Sequence, residues 1–293
     1  MSFRLIYVCL ALACGLAPAG LVSAQHTIAY YHPAAPLYPL FGQELDLNGD
    51  GQVECRFYSS GWQGFYYNTS ASGVGTAQLL VTPSGPGDSG SYLAGWNPGF
   101  LIGGPTSEWV FWAADDAPNG YGGAYVLGVW LPDWIGSFIP DGDFYGTTAF
   151  MGIHFQIGSD WHYGWVRIRG EGAEAFLWPQ GWILDWAYET RPNTPILAGA
   201  GIDADQDGVW DYLDQCPGTP AGAVVDANGC SIEQLCPRDG PWKNHGQYVS
   251  QVQAVAARFV REGLITRSQA DSILKQAAAS DCGKPNTRAN DRH

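Results

Sequence analysis

The sequence predicts a mainly β protein: an antiparallel, jelly-roll-like β-sandwich, then an irregular acidic segment, then a small helical hairpin. Three observations carry this reading. Between Gln25 and Ala200, short apolar/polar alternations recur between Gly- and Pro-rich turns. From Gly201 to Leu235, large apolar side chains almost disappear. From Cys236 to Gly283, apolar residues return at spacings of three and four.

The first 24 residues read as a cleaved leader. Arg4 makes a short basic start, Leu5–Ala13 is apolar, and "VSA" before Gln25 has the small-x-small pattern of a signal-peptidase site. The apolar run falls short of the ~20 residues a membrane-spanning helix needs, so the mature chain is expected to have no transmembrane segment. The expected location is secreted, extracellular or at the surface of the cell envelope. Cleavage before Cys14, giving a lipid-anchored form, is the alternative.

Residues 25–200 supply the sandwich. The runs "AQLLVT", "EWVFW", "AYVLGVWL", "GIHFQIG" and "GWVRIRG" alternate with period two. In the last run, Val166 and Ile168 are expected to face inward while Arg167 and Arg169 face out. Stretches such as "TPSGPGDSG" and "DDAPNGYGG" mark the turns. A domain of this size fits one β-sandwich.

Residues 201–235 cannot build a hydrophobic core, so their order must come from another source. Residues 236–283 predict two helices. Val249, Val252, Val255, Ala256, Phe259 and Val260 share one face, and Gly263 stops that helix. "TRSQ", Thr266 to Gln269, is a capping box for the second, whose Ile273, Leu274 and Ala277 are expected to pack back. The remaining residues, 284–293, are expected to be a disordered tail.

Charge follows the same three parts. Residues 25–200 hold sixteen acidic residues against four arginines, and 201–235 hold seven acidic residues and no basic one. Beyond 235, nine basic residues face five acidic ones. An acidic body of this kind argues against nucleic acid as a partner, because phosphate contacts need a basic face.

Five aspartates fall within the twelve residues from Asp203 to Asp214. Like charges this close repel by roughly 0.6–3 kcal/mol per pair at effective dielectrics of ~20–80, so something must offset them. Counted from Asp203, the acids stand at positions 1, 3, 5, 9 and 12, with Gly208 at 6 and the Val209 carbonyl at 7. That is the ligand spacing of an EF-hand-like calcium loop, with Asp214 in place of the bidentate Glu. Ca2+ is the expected cofactor, and its binding would turn the repulsion into a driving force for order. "LDLNGDGQVECRFY" offers a second, incomplete loop: Asp46, Asn48 and Asp50, then Gly51, the Gln52 carbonyl and Glu54, but Phe57 at position 12. A turn without metal is the competing reading there.

"DADQDGVWDYLDQCPGTPAGAVVDANGC" resembles a thrombospondin type 3 repeat of the bacterial kind, over 28 residues. The resemblance implies Asp203, Asp205, Asp207, Asp211 and Asp214 as calcium ligands and a Cys216–Cys230 disulfide. Asp226 and Asn228 match its later part, for a second ion or for a turn. "HYGWVRIRG" with "ILDWAYETRPNTPILAGAG" is similar to the end of an uncharacterised β-rich domain of bacterial secreted proteins. The helical tail resembles a cysteine-containing module whose relatives carry Cys where Arg238 and Gln251 stand here. A Cys236–Cys282 bridge clamping the hairpin is therefore expected, with Cys55 a small buried hydrophobe and pairing between chains as its alternative. Five cysteines in the mature chain leave one unmatched.

The leading functional expectation is a secreted calcium-binding structural or adhesion protein. Its partners would be calcium and either an extracellular polysaccharide or another surface protein. Eleven of thirteen tryptophans lie in the β segment, which makes carbohydrate binding the alternative, since aromatic faces stack on sugars as well as fill cores. A hydrolase is the third reading. It would need His154, Asp160, His162, Asp185 and Glu189 to converge.

Overall fold

The computed structural model describes residues 27–62, 66–83, 91–107, 110–113, 124–130, 139–171 and 180–284. The leader with Cys14 and Ala24, and the tail beyond Lys284, lie outside them.

Among the described residues, fourteen strands run in chain order: β1 (Ile28–Tyr31), β2 (Glu44–Leu45), β3 (Cys55–Trp62), β4 (Tyr66–Gly73), β5 (Gln78–Pro83), β6 (Ser91–Leu93), β7 (Leu101–Ile102), β8 (Phe111–Ala113), β9 (Ala124–Trp130), β10 (Ile139–Asp141), β11 (Thr148–Ile157), β12 (Asp160–Gly170), β13 (Gly181–Glu189) and β14 (Ile196–Leu197). Ten follow one path, β1-β13-β12-β11-β5-β6-β9-β4-β3-β2, with β10 added on β9 and β8 on β5. The pairings are antiparallel except for β6 with β9, which are parallel. No barrel closes among these strands, and the arrangement is that of a β-sandwich.

The path folds over on itself because the side chains of one face need a partner layer. Leu45, Cys55, Phe57 and Ala71 from one end share a core with Met151, Ile153, Phe155, Val166, Ile168 and Ile183 from the other. Two hydrogen bonds tie the ends together. Trp186 Nε1 donates to the Leu47 carbonyl at 3.3 Å and the Tyr31 hydroxyl to the Asn48 carbonyl at 3.4 Å. Cys55 lies fully buried in this core, as a small hydrophobe does, and burial pushes its thiol pKa up.

Val166 and Ile168 point into the core, and Arg169 is exposed, as the alternation predicts. A register shift between Arg167 and Ile168 breaks the β12–β13 ladder at that point. Here Arg167 pairs with Asp185, which is fully buried and also accepts from the Tyr30 hydroxyl at 2.8 Å.

The outer face of this half of the sheet is covered rather than wet. Phe150, Trp165 and Ala187 pack there against Ile196, Ala198, Ala200 and Ile202, with Trp210 against the same cluster. Trp165 Nε1 donates to the Ala200 carbonyl at 3.2 Å. This second core runs across residue 200 into the acidic segment. The first aspartates are thus held against the sheet.

The helical part contains α1 (Ile232–Leu235), α2 (His245–Arg261) and α3 (Arg267–Ala279). Tyr248, Val252, Val255, Ala256 and Phe259 form the buried stripe of α2. Gly263, at φ +75°, ends its turn, and the Thr266/Gln269 capping box opens α3. The short α1 was not evident from periodicity; Ser231 and Gln234 cap it reciprocally. Among the described residues, no helix is long and apolar enough to cross a membrane.

The expected Cys236–Cys282 bridge is not formed; both are free thiols. The clamp they were expected to provide is made by other groups. The ring nitrogens of His245 face the carbonyls of Cys282 and Ala278 at 2.8 and 3.2 Å. Cys236, Tyr248 and Val252 share the buried hairpin core, with Cys282 packed against it.

Phe155 is fully buried and meets Tyr188 edge-on, with ring centroids 5.5 Å apart. Phe155→Ala is expected to cost about 3–5 kcal/mol. In urea unfolding, the midpoint should fall while the slope stays unchanged.

Candidate metal centre

The Asp203–Asp214 loop is closed at its base by Asp211. The Asp211 amide donates to the Ile202 carbonyl at 2.9 Å, and Asp211 Oδ1 accepts from the Ala204 amide at 2.7 Å. Gly208, at φ +97°, makes the sharp turn at position six, and its amide donates to Asp203 Oδ2 at 2.9 Å. Asp207 Oδ1 accepts from the Val209 amide at 2.8 Å. Asp205 reaches out of the loop: its Oδ2 accepts from the Gly218 and Thr219 amides, both at 2.7 Å.

Those bonds leave two oxygens without a partner. Asp203 Oδ1 and Asp207 Oδ2 are both buried and accept no hydrogen bond. Such atoms ordinarily cost free energy. Asp203, Asp205 and Asp207 each offer an oxygen within 4.8 Å of the others. Calcium–oxygen bonds of about 2.3–2.6 Å span such a set from one central point. The carboxyl pKa of Asp203 is raised, first by burial and then by the charges of Asp207 and Asp205. That of Asp205 is lowered, chiefly by the Thr219 and Gly218 amides.

Asp214 approaches Asp207 at Gly229. A methyl group at Gly229 would lie 2.0 Å from Asp214 Oδ1 and 3.1 Å from Asp207 Oδ2, so both carboxylates crowd that glycine. Of the six expected ligands, Asp203, Asp205 and Asp207 come together, Asp214 adjoins them, and Asp211 and Val209 make the backbone bonds described above. The Cys216–Cys230 disulfide is formed, with Cα atoms 5.0 Å apart. Closing a loop of that length stabilises by roughly 3 kcal/mol in the chain-entropy account.

Asp226 goes to a turn and an ion pair. Its Oδ1 accepts from the Asn228 and Cys230 amides at 3.0 and 3.2 Å, and its Oδ2 faces Arg258 of α2 at 2.7 Å. Asn228 also stands in this turn. Sequence reasoning did not anticipate Arg258, which lies 32 residues away on the polar side of its helix.

In the second loop, Asp46, Asp50 and Glu54 also bring one oxygen each within 4.8 Å. Here backbone amides take up the carboxylates. Asp46 accepts from Gly49, Asp50 and Gly51, and Asp50 from Gln52. Asn48 Oδ1 caps the Asp50 amide at 2.9 Å. Glu54 is 6% exposed and accepts from the Leu47 amide at 2.7 Å. Burial, with Asp46 and Asp50 nearby, pushes its pKa up to about 7. Phe57, at position 12, is buried in the sandwich core.

Of the five residues of the hydrolase reading, His162 and Glu189 touch through the Glu189 backbone carbonyl, and the others have separate surroundings. His154 stacks on Trp161 and Tyr163, with centroids at 4.1 and 4.5 Å. His162 Nδ1 faces the Glu189 carbonyl at 2.9 Å, and the Glu189 carboxylate binds Arg191 and Thr27. Asp185 is committed to Arg167, and Asp160 lies exposed at the head of β12. Leaving aside Trp62 and Trp130, whose side chains are not described, the exposed large hydrophobic side chains among the described residues include Tyr38 and Phe41 but no tryptophan.

No family model matches the chain, and no solved structure matches it. Three known proteins share short stretches. An alpha-agarase of Thalassotalea agarivorans is 48% identical over 69 residues, 23% of this chain and 4% of that protein. Outer membrane porin F of Pseudomonas aeruginosa is 64% identical over 42 residues, 14% of this chain and 12% of the porin. An alpha-agarase of Alteromonas agarilytica is 58% identical over 33 residues, 11% of this chain and 2% of that enzyme. The chain thus spans a small part of the length of each.

Burial lowers the His154 pKa to about 4, and its Nδ1 has no partner. The unfolded chain takes up that proton near pH 6.5 and the folded one only near 4. Stability is therefore expected to fall as pH drops from about 6.5 toward 4. His154→Phe, which keeps an aromatic ring in the stack, should flatten that limb of a melting-temperature profile.

Proposed function

We propose that this chain is a secreted calcium-binding structural protein of the adhesion type. Its aspartate loop, of the thrombospondin type 3 kind, is ordered by Ca2+ next to a β-sandwich interaction domain. The two buried, unpartnered oxygens of Asp203 and Asp207 carry this reading. A dehydrated calcium ion satisfies both and cancels the repulsion among the three carboxylates. Asp203, Asp205 and Asp207 are its first ligands, with Asp214 and the Val209 carbonyl nearest in spacing. Asp46, Asn48, Asp50, the Gln52 carbonyl and Glu54 form a weaker second site, since amides already occupy most of its oxygens.

Two agarases and an outer membrane porin, unlike by name, share stretches of 33 to 69 residues with this chain. That distribution suits a structural module borne by proteins of different activity. It supports the structural reading over the enzymatic one. The partner of the sandwich is proposed to be an extracellular polysaccharide or a surface protein.

Calorimetric titration of the mature chain tests the reading. Extracellular calcium modules bind at about 10⁻⁴–10⁻³ M, so heats are expected in that range. Asp203→Asn with Asp207→Asn should abolish one class of sites, while Glu54→Gln should leave that class intact. A wild-type chain that binds no calcium at millimolar concentration would overturn the proposal.

A further inference from the structure

We infer that the cation loop acts as a latch holding the helical hairpin: its occupancy sets how tightly α2 and α3 are ordered against the acidic segment. The inference rests on the calcium reading above and concerns what binding does elsewhere in the chain.

Two lines of contact lead from the loop to the helices. The first starts at Asp205, whose Oδ2 holds the Gly218 and Thr219 amides at 2.7 Å. Thr219 is 3% exposed. Its hydroxyl meets the Cys216 and Gly229 carbonyls, both at 3.0 Å, and Gln234 Oε1 at 2.9 Å. Gln234 returns a bond from Nε2 to the Cys216 carbonyl at 2.9 Å and is the partner of Ser231 in the capping box of α1. Ile232 and Leu235 of α1 pack against the hairpin core.

The second line runs through Gly229, where Asp207 and Asp214 crowd the backbone. The Gly229 amide donates to the Asp226 carbonyl at 3.1 Å, and Asp226 pairs with Arg258 of α2 at 2.7 Å. Asp226 is 4% exposed at its side chain and Arg258 33%, so water screens this pair less than an ordinary surface pair.

The same carboxylates that would bind calcium thus hold the turn on which the hairpin rests. Without a cation, Asp203, Asp205 and Asp207 repel one another, and the turns at Gly218–Thr219 and Gly229 lose their anchor. With it, the anchor is rigid, and opening of the hairpin must also break the site. At calcium near ten times Kd, linkage allows opening to become about tenfold rarer.

Hydrogen exchange on the full mature chain, with and without calcium, reads this directly, beside calorimetry on the same samples. Amides of α2 and α3 are expected to slow up to about tenfold in wild type. In Arg258→Gln they should slow less than in wild type, and with both lines cut in Arg258→Gln/Gln234→Ala they should not slow, although both variants still bind calcium because all the loop carboxylates stay in place. If wild type binds calcium and hairpin exchange is unchanged, the latch is wrong and the calcium reading stands. If wild type binds none, both fall. If Arg258→Gln slows like wild type, the Asp226–Arg258 route is wrong. Should Arg258→Gln fail to fold by circular dichroism, Gln234→Ala, which cuts the other line, is used the same way.

Discussion

Residues 201–235 carry seven acids and no base, and they must hold their shape without a core of their own. Everything around them answers to that constraint. Their leading end is held by the sheet, through Ile202 and Trp210 on the cluster around Trp165. Their trailing end is held by the hairpin, through Leu235 and the Asp226–Arg258 pair. Between these anchors lie one disulfide and a set of carboxylates bonded mostly to backbone amides. Each amide bond offsets part of the repulsion, and the two oxygens left over mark where amides ran out.

The two acidic loops show how the same spacing reaches different ends. In both, Gly at position six permits the turn and aspartates at alternate positions face inward. In the Asp46 loop, position twelve is Phe57, a core side chain, so the chain leaves at once into β3 and its carboxylates are spent on turn amides. In the Asp203 loop, position twelve is Asp214, and the chain curls back until Gly229 lies against it. A strand start and a closed acidic cluster differ here in the residues just beyond the turn.

Much of this was legible in the sequence where the signal is local. Alternation placed Val166 and Ile168 inside, and three-four spacing with a capping box placed both long helices. The disulfide came from a motif resemblance. What stayed hidden depends on contacts between distant residues. β1 pairs with β13 across more than 150 positions, and nothing in "IAYY" names that partner. Trp165 lies on the face read as outward, yet it is buried, because a later segment folds over it. Arg258 reads as an ordinary polar-face residue until Asp226 appears opposite. Cys236 and Cys282 suggested a bridge through the resemblance of the helical tail, whereas it is His245 that holds the chain at Cys282 and Ala278.

The position of the disulfide also governs how the chain carries tension. A pull on the two ends passes through the Cys216–Cys230 sulfurs and bypasses the residues between them. About a dozen residues, roughly 45 Å of extended chain, are spared. Thr219, Asp226 and Gly229 lie in this sheltered arc, while Asp203 to Asp214 lie in series with the load. A stretched chain would first feel the strain in the aspartate loop, with the seat of Arg258 shielded until the sulfur link itself gave way.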